Sequence, residues 1–533
     1  MTRLSFVSRL CASLSPASLA LVLAGLSALF AAPGHGGAQE ALDEIFAVWN
    51  SAASPGCAVG VDRYLAGAGE ERMPASPLLR AWGMAELEHG LANTPSTIFE
   101  AGSVSKQFTA AAVILLELDG LLSLDDDVRR WIPELPDYAA VYEGRGITLR
   151  QMMTHTAGLR DWGSVAAIGG WGRSDRTHTH DHVLEIAARQ ASLNYPPGDA
   201  YSYSNTGFNL LAIVVERASG TSFAAFSQER LFEPLGLDHT HWRDDYRRIV
   251  PGRSGAYQWQ GGRWVIDRPI EDVHGNGGLL TTVGDLLRWN RVLAAARLGD
   301  SAGAEEGPGH AYTALARALG GNAFYRRMVE QAILTDGTTI EYAGGLFVGR
   351  FADRPAVTHT GATSGYRAYL GDFPDDGLSV ALLCNTGNAN PGQLGGRVAR
   401  LFLEPRDVVA AGTGADAGAE PAANEVPEAA ADPSADVDEA AAWYPPTAAE
   451  LTPLAGRYES HEAEAVWVLE VEGEDLVLVR RPGTRTTLRP TGPDTFQGAG
   501  GEIRIHRDAA GRVVQLGLIQ ARVWDLRFQR VEE

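Results

Sequence analysis

Ser103 and Lys106 stand three residues apart in Ser103-Val104-Ser105-Lys106, just ahead of an apolar run from Phe108 to Leu118. Serine is a weak nucleophile until a neighbouring base takes its proton. A lysine three positions further along a helix lies on the same face, within hydrogen-bond reach. The start of that helix adds free backbone N–H groups and a positive dipole end, both suited to a developing oxyanion. Spacing alone is weak evidence, because S-x-x-K arises by chance about once in a chain this long. Lysine usage strengthens it. Lysine and arginine total 45, and Lys106 is the only lysine. A bias toward arginine replaces every lysine that is merely cationic, yet arginine cannot serve as a base, whereas a desolvated lysine can lose its proton. The alternative is a solvated surface lysine.

Two further groups bear side chains of the right kind. Tyr203-Ser204-Asn205 lies between the turn Tyr195-Pro196-Pro197-Gly198 and an apolar helix expected from about Gly207 to Ala218. A tyrosine beside a neutral lysine can pass the serine proton to a leaving group, and an amide can hold a substrate carbonyl. His359-Thr360-Gly361-Ala362 ends one expected strand just before Tyr366 begins another. Glycine there lets a substrate backbone lie along the strand edge. Each group alone is weak.

The elements that must position these groups read as follows. At 533 residues the chain exceeds one compact core, and its 45% hydrophobic and 21% charged composition is that of a globular protein. A net charge of −21 disfavours nucleic acid and anionic membrane surfaces as partners. Residues 1–38 read as an export signal: Arg3 and Arg9, an apolar stretch from Ala17 to Ala32, and cleavage preferred after Ala38 over Ala32. No second stretch is apolar enough to span a bilayer, so no stable span is expected after cleavage and the destination is periplasmic or secreted. The alternative is an uncleaved anchor.

Residues 39–403 form one α+β unit. Strands are expected at Cys57 to Tyr64 and Leu78 to Glu86, a helical middle from Ser103 to about Leu293, and strands again at Tyr342 to Arg350, Ala356 to His359, Tyr366 to Phe373 and Leu378 to Cys384. A helix from Leu394 to Leu403 closes it. Strands at both ends predict one antiparallel sheet flanked by helices plus a helical lobe, with a cleft at their join. Residues 404–448 are an acidic Ala/Pro-rich linker. Residues 449–533 carry about eight short alternating strands, the pattern of a small all-β barrel.

Taken in this order, the motifs resemble the penicillin-recognising serine hydrolases, the group of class C β-lactamases, D-alanyl-D-alanine carboxypeptidases, D-aminopeptidases and related esterases. The resemblance covers about residues 42–403 and extends to Ile147–Leu159, Tyr195–Gly198 and Gly275–Thr282. It implies Ser103 as nucleophile, Lys106 as its base and Tyr203 as proton shuttle. Asn205, His359, Thr360 and Gly361 would bind substrate, and the N–H groups of Ser103 and Ala362 would form the oxyanion hole. It also implies an acyl-enzyme and neither metal nor cofactor. The branch usually described has S-D-N and K-T-G; this chain has Tyr-Ser-Asn and His-Thr-Gly. Histidine at 359 titrates near neutrality where lysine would stay cationic, and it favours a peptidase or esterase acting on D-amino-acid peptides, amides or esters. A β-lactamase, or a penicillin-binding sensor that does not turn over, is the alternative. The expected partner is a small peptide, ester or β-lactam substrate, with oligomeric state left open. Arg367 is weighed equally as a carboxylate anchor and as a packed surface arginine. The barrel resembles the lipocalin-like modules of some of these hydrolases, Leu454-Ala-Gly-Arg-Tyr458 matching their opening strand, and its role is open. The family fold makes the strands of Cys57 and Cys384 antiparallel neighbours; two buried thiols are expected there, with a disulfide as the alternative if their Cα atoms come within about 7 Å.

Two patterns invite other chemistry. His178-Thr-His180-Asp181-His182 is one residue short of a zinc hydrolase signature and reads as a helix start capped by Thr179 or Asp181. Gly299-Asp-Ser301-Ala-Gly303 spells a nucleophile elbow, but a flexible loop follows where a helix is required. His155 reads as a structural histidine in a turn.

Overall fold

The computed structural model describes residues 35–64, 77–299, 308–403, 446–481 and 483–531. The expected export signal, most of the Gly299–Gly303 motif and nearly all of the acidic linker lie outside them. Among the described residues no single helix is long and apolar enough to cross a membrane.

The frame of the first unit is a six-stranded sheet. Its strands are β1 (Cys57–Arg63), β2 (Leu78–Trp82), β3 (Phe347–Phe351), β4 (Arg354–Thr363), β5 (Tyr366–Phe373) and β6 (Leu378–Cys384), in the order β3-β4-β5-β6-β1-β2, every neighbouring pair antiparallel. β6 is buried at every position because both faces of the sheet are covered, which is why it reads as a continuous apolar run. Alternate residues serve different cores. Val59, Val61, Val380 and Leu382 pack with α1 (His35–Phe46) and the C-terminal helix Pro391–Phe402, while Ala58, Ala381 and Leu383 face the helical lobe. That lobe is built around α2 (Lys106–Leu118), α3 (Asn205–Ser219) and α4 (Val283–Leu298).

Three expectations shift. The strand expected from Leu78 to Glu86 breaks at Gly83, whose φ of +69° turns Met84–Glu86 into a separate pairing with Leu91–Ala92. The helical middle is interrupted by small sheets, Phe99–Glu100 with Leu279–Thr281 and His241–Trp242, and a hairpin of Tyr257–Gln260 with Arg263–Ile266. Strands of two to four residues carry too little period to read. The strand expected from Tyr342 begins only at Phe347, because Gly345 (φ +72°) turns the chain against the first turn of α2, where a Cβ would lie 2.7 Å from the Gln107 nitrogen. Tyr342 is thereby freed from the sheet.

The C-terminal unit is a closed barrel of eight antiparallel strands, β7 (Gly456–Ser460) to β14 (Val523–Val531), with β13 at Val513–Gln520 and β14 pairing back onto β7. Buried Trp467, stacked on Phe528 at 4.1 Å between centroids, fills it together with Leu469, Leu478, Leu516 and Leu526. The same apolar core runs on through Trp162, Val165, Ile168, Val183 and Ile186 of the lobe, so barrel and lobe share one hydrophobic seam. Arg160, almost wholly buried, pairs with Glu462 across it at 3.4 Å.

Cys57 and Cys384 are directly opposed in register and joined by a disulfide, with Cα atoms 4.0 Å apart. The expectation of two free thiols is therefore corrected: adjacency in the ladder delivers the two sulfurs to one point. The bridge closes a sequence separation of 327 residues. Cys57→Ala/Cys384→Ala is expected to lower stability by about 2–4 kcal/mol, read as a fall in melting temperature under oxidising conditions. An unchanged melting temperature would show that the bond adds nothing.

Candidate active site

Ser103 enters the site on a 3-10 turn, Gly102–Ser105, that runs directly into α2. Gly102 has φ +51°, and a Cβ there would sit 2.6 Å from the Ala362 amide nitrogen. Across the gap, a Cβ on Gly361 would lie 3.1 Å from the Ser103 nitrogen and would overlap the Ala101 carbonyl. The two glycines let the nucleophile turn and β4 touch backbone to backbone, which brings the N–H groups of Ser103 and Ala362 to one place. β3 pairs with β4 only as far as Thr358, so His359 to Thr363 have no β3 partner along the cleft edge.

Lys106 points back across the turn. Its Nζ lies 3.2 Å from Ser103 Oγ, 3.0 Å from Asn205 Oδ1 and 2.8 Å from the Asn276 carbonyl. Its solvent exposure is zero. Burial, reinforced by the positive field of Arg522 and Arg173 and only partly opposed by Asp161, holds the amine well below the usual 10.5. A neutral amine has a lone pair to accept the serine proton. Asn205 opens α3, and both ends of its amide are engaged: Oδ1 accepts from Lys106, while Nδ2 and the backbone N–H donate to Asp161 Oδ2 at 2.9 and 2.8 Å. In this arrangement Asn205 orients Lys106. Asn276 is held in turn, its Oδ1 accepting from Asn209 at 2.7 Å, and Asn209 accepts from the Trp162 indole.

Tyr203 presents its ring 4.8 Å from Lys106 Nζ and its hydroxyl toward those of Ser103 and Tyr342. Burial raises its pKa to about 12, the nearby serine hydroxyl offsetting only part of the effect. Two neighbouring groups are thus driven in opposite directions, the amine toward losing its proton and the phenol toward keeping it. His155 packs against Tyr203 with the rings tilted by 39° and 4.2 Å between centroids, and its Nδ1 accepts the Ser204 N–H at 3.2 Å. It does so from a left-handed backbone, φ +60°, that few histidines adopt.

His359 is among the residues that line the cleft, but it is almost wholly buried. It is 2% exposed, and its Nε2 lies 2.9 Å from the Tyr342 hydroxyl. Its Nδ1 contacts the Thr360 carbonyl at 2.5 Å. The carbonyl can only accept, so Nδ1 carries the proton and Nε2 accepts from Tyr342. Burial and the Lys106 charge lower its pKa to about 3, so the expectation of titration near neutrality is corrected: the imidazole is neutral throughout that range. Arg367 donates to the carbonyls of Ser364 and Tyr366 at 2.6 and 2.7 Å, which ties it to its own turn. Thr360 and Ala362 line the cleft, with Ser103 and Tyr203, in a cavity of about 1420 Å³.

Ser103, Lys106, Tyr203, Asn205, His359, Thr360, Gly361 and Ala362 therefore converge, the His359 ring almost wholly buried. Sequence reasoning missed Tyr342, Asp161 and Arg522. Asp161 and Asn276 adjoin or lie within runs noted there, Ile147–Leu159 and Gly275–Thr282. Tyr342 carries no motif, and Arg522 comes from the barrel. The three histidines of the 178–182 run do not meet at one point: Thr179 caps the helix His180–Ala188, His178 meets the carbonyls of Trp171 and Gly172 and the edge of the His182 ring, and His180 packs tilted against His274. Among the described residues the sole grouping with metal-ligand spacing is Glu86, Glu88 and His89, elsewhere on the surface.

The beta-lactamase family model matches residues 75–403. Penicillin-binding protein 4* of Bacillus subtilis (strain 168) is 27% identical over 321 residues, 57% of this chain and 64% of that protein. A D-aminopeptidase of Cereibacter sphaeroides is 28% identical over 309 residues, 57% of this chain and 54% of that one. The chain thus spans between about half and two thirds of the length of these relatives. Among solved structures, the octameric penicillin-binding protein homologue from Pyrococcus abyssi shares the fold over 92% of this chain and 99% of its own, at a TM-score of 0.54 and 20% identity.

Tyr342→Phe removes the hydroxyl between Tyr203 and His359. It is expected to slow acylation of Ser103 by a fluorescent penicillin about tenfold or more without changing the melting temperature much; an unchanged rate would remove Tyr342 from the site. The pH profile of the same rate in the unmodified enzyme should show no inflection at the ordinary histidine value of 6.5. A limb there that His359→Gln abolishes would contradict the neutral, buried imidazole.

Proposed function

The chain belongs to the beta-lactamase family, and from that premise we propose that it is a serine hydrolase of D-amino-acid peptides or related amides and esters. In this reading neutral Lys106 takes the proton of Ser103, whose Oγ attacks the substrate carbonyl. The N–H groups of Ser103 and Ala362 hold the oxyanion. Tyr203 gives its proton to the departing nitrogen or oxygen as the carbonyl–leaving-group bond breaks and regains one from protonated Lys106 beside it, leaving an acyl group on Ser103 that water then removes. Thr360 and Gly361 offer the free edge of β4 to the substrate backbone.

One observation carries the reading: a wholly buried amine 3.2 Å from a hydroxyl, with depressed proton affinity. Similarity to a D-aminopeptidase supports the choice of D-amino-acid substrates. The neutral, buried His359 supports it too, because it leaves no fixed cation on β4 at that position. The bridged Cys57–Cys384 pair supports export to an oxidising compartment, periplasmic or secreted.

Lys106→Arg keeps the charge and loses the basicity, and is expected to abolish acylation of Ser103 while the protein remains folded. Near-normal labelling of that variant would end the proposal. A panel of D-peptide, ester and cephalosporin substrates tests the substrate class. Cephalosporin turnover matching that on D-peptides would replace it with a β-lactamase, and labelling without turnover would replace it with a sensor.

A further inference from the structure

We propose that Arg522, delivered by the barrel, is a specificity-determining residue that binds a carboxylate on the leaving fragment of a peptide substrate. The inference rests on the hydrolase reading above and adds a binding group supplied by the C-terminal unit.

The hairpin between β13 and β14 reaches the mouth of the cleft, where Ala521, Arg522 and Trp524 line its wall. Its backbone is clamped to the first unit. The Arg522 carbonyl accepts from the Asp161 N–H at 3.2 Å and from Asn194 Nδ2 at 3.3 Å. The Trp524 N–H donates to Asn194 Oδ1 at 2.8 Å, and the Trp524 carbonyl accepts from Arg160 at 3.3 Å. The Trp524 ring rests on Tyr195 at 5.1 Å. The main chain is thus fixed, while the Arg522 guanidinium extends over the Tyr203 ring, 4.9 Å from its centre.

The charge of that guanidinium is not matched by the protein. Arg160, Arg173 and Arg243 are paired with Glu462, Glu271 and Glu100, whereas Arg350, Arg397 and Arg400 line the cavity and, among the described residues, show no ion pair; what distinguishes Arg522 is its place over Tyr203. Among the described residues no carboxylate lies within ion-pair distance of Arg522. The acid its field reaches, Asp161, is already occupied by the N–H groups of Asn205 and Ser164 and by the Asn205 amide. A half-buried arginine beside the reacting hydroxyl, in a protein of net charge −21, is a built receptor for one anionic group. Tyr203 is the proton donor to the leaving fragment, so that fragment must pass beside the ring on which Arg522 lies. The planar fork of guanidinium fits a carboxylate with two parallel hydrogen bonds, which an ammonium cannot reproduce.

The test compares N-acetyl-D-alanyl-D-alanine with its C-terminal amide, using full-length enzyme. The unmodified enzyme should prefer the free acid in kcat/KM by about 10- to 100-fold, the worth of charge-assisted hydrogen bonds. Arg522→Ala should collapse that ratio toward one. Arg522→Lys, which retains the charge that helps depress Lys106, should keep the pH profile yet lose most of the preference. Equal losses on acid and amide, or no acid preference in the unmodified enzyme despite penicillin labelling of Ser103, would overturn the carboxylate assignment alone. Failure of Ser103 to label would overturn the hydrolase reading with it. A cephalosporin run alongside carries the other common source of such a carboxylate, and a loss confined to it would also overturn the peptide assignment.

Discussion

The site is organised around one amine buried where water does not reach it, with its proton affinity pushed down by that burial. Each unit by which the folded pKa of Lys106 falls below 10.5 represents about 1.4 kcal/mol of differential interaction. The unfolded chain holds a proton there that the folded chain releases, so this residue's contribution to stability rises with pH from the depressed value up to 10.5. The surrounding structure gives it carbonyl and amide oxygens as partners and a hydrophobic floor. Phe208 lies 5.5 Å from Nζ, and the buried run of α2 continues behind it. Asp161 sits close enough to oppose the effect and is itself spoken for by three N–H donors.

Much of this was legible from side-chain chemistry. Ser103 and Lys106 could be paired because α-helical spacing is rigid, and because a chain that uses arginine everywhere else kept one lysine. Tyr203 and Gly361 followed from type and position. The surrounding sheet was legible where strands are long, as in β1, β5 and β6. What failed has a common cause. His359 was read by its intrinsic titration, but depth in the structure sets that property, and depth is a tertiary fact. Asn205, expected to contact substrate, lines the cleft, and its amide also holds Lys106 and Asp161 across 99 and 44 residues of sequence, a second task that no motif declares. Tyr342 stands in no pattern at all; only the turn at Gly345 places it over Tyr203. The disulfide was under-weighted because register, unlike strand identity, cannot be read from one strand.

The barrel was recognised as an architecture and left without a task. Its interior is filled by Trp467, Phe528 and leucines, and its apolar core merges with the lobe rather than stopping at a boundary. A module docked this way is part of the enzyme's wall. The reach of its final hairpin to Tyr203 explains why no inspection of residues 39–403 by themselves could complete the list of groups around Ser103.

Strand order carries a kinetic cost of its own. β1 is an interior strand, one in from the edge strand β2, yet its partner β6 arrives 327 residues later at the bridged cysteines. Pairings between such remote segments must overcome a large loop-closure entropy before any contact rewards them, and folds dominated by them form slowly. Until β6 is in place, β1 has an open edge and the sheet has no centre. β4, three strands away, then lacks the platform that presses Gly361 onto the nucleophile turn. The backbone contact that places the reactive serine therefore rests on pairings between the two ends of the unit, the contacts with the greatest loop-closure cost.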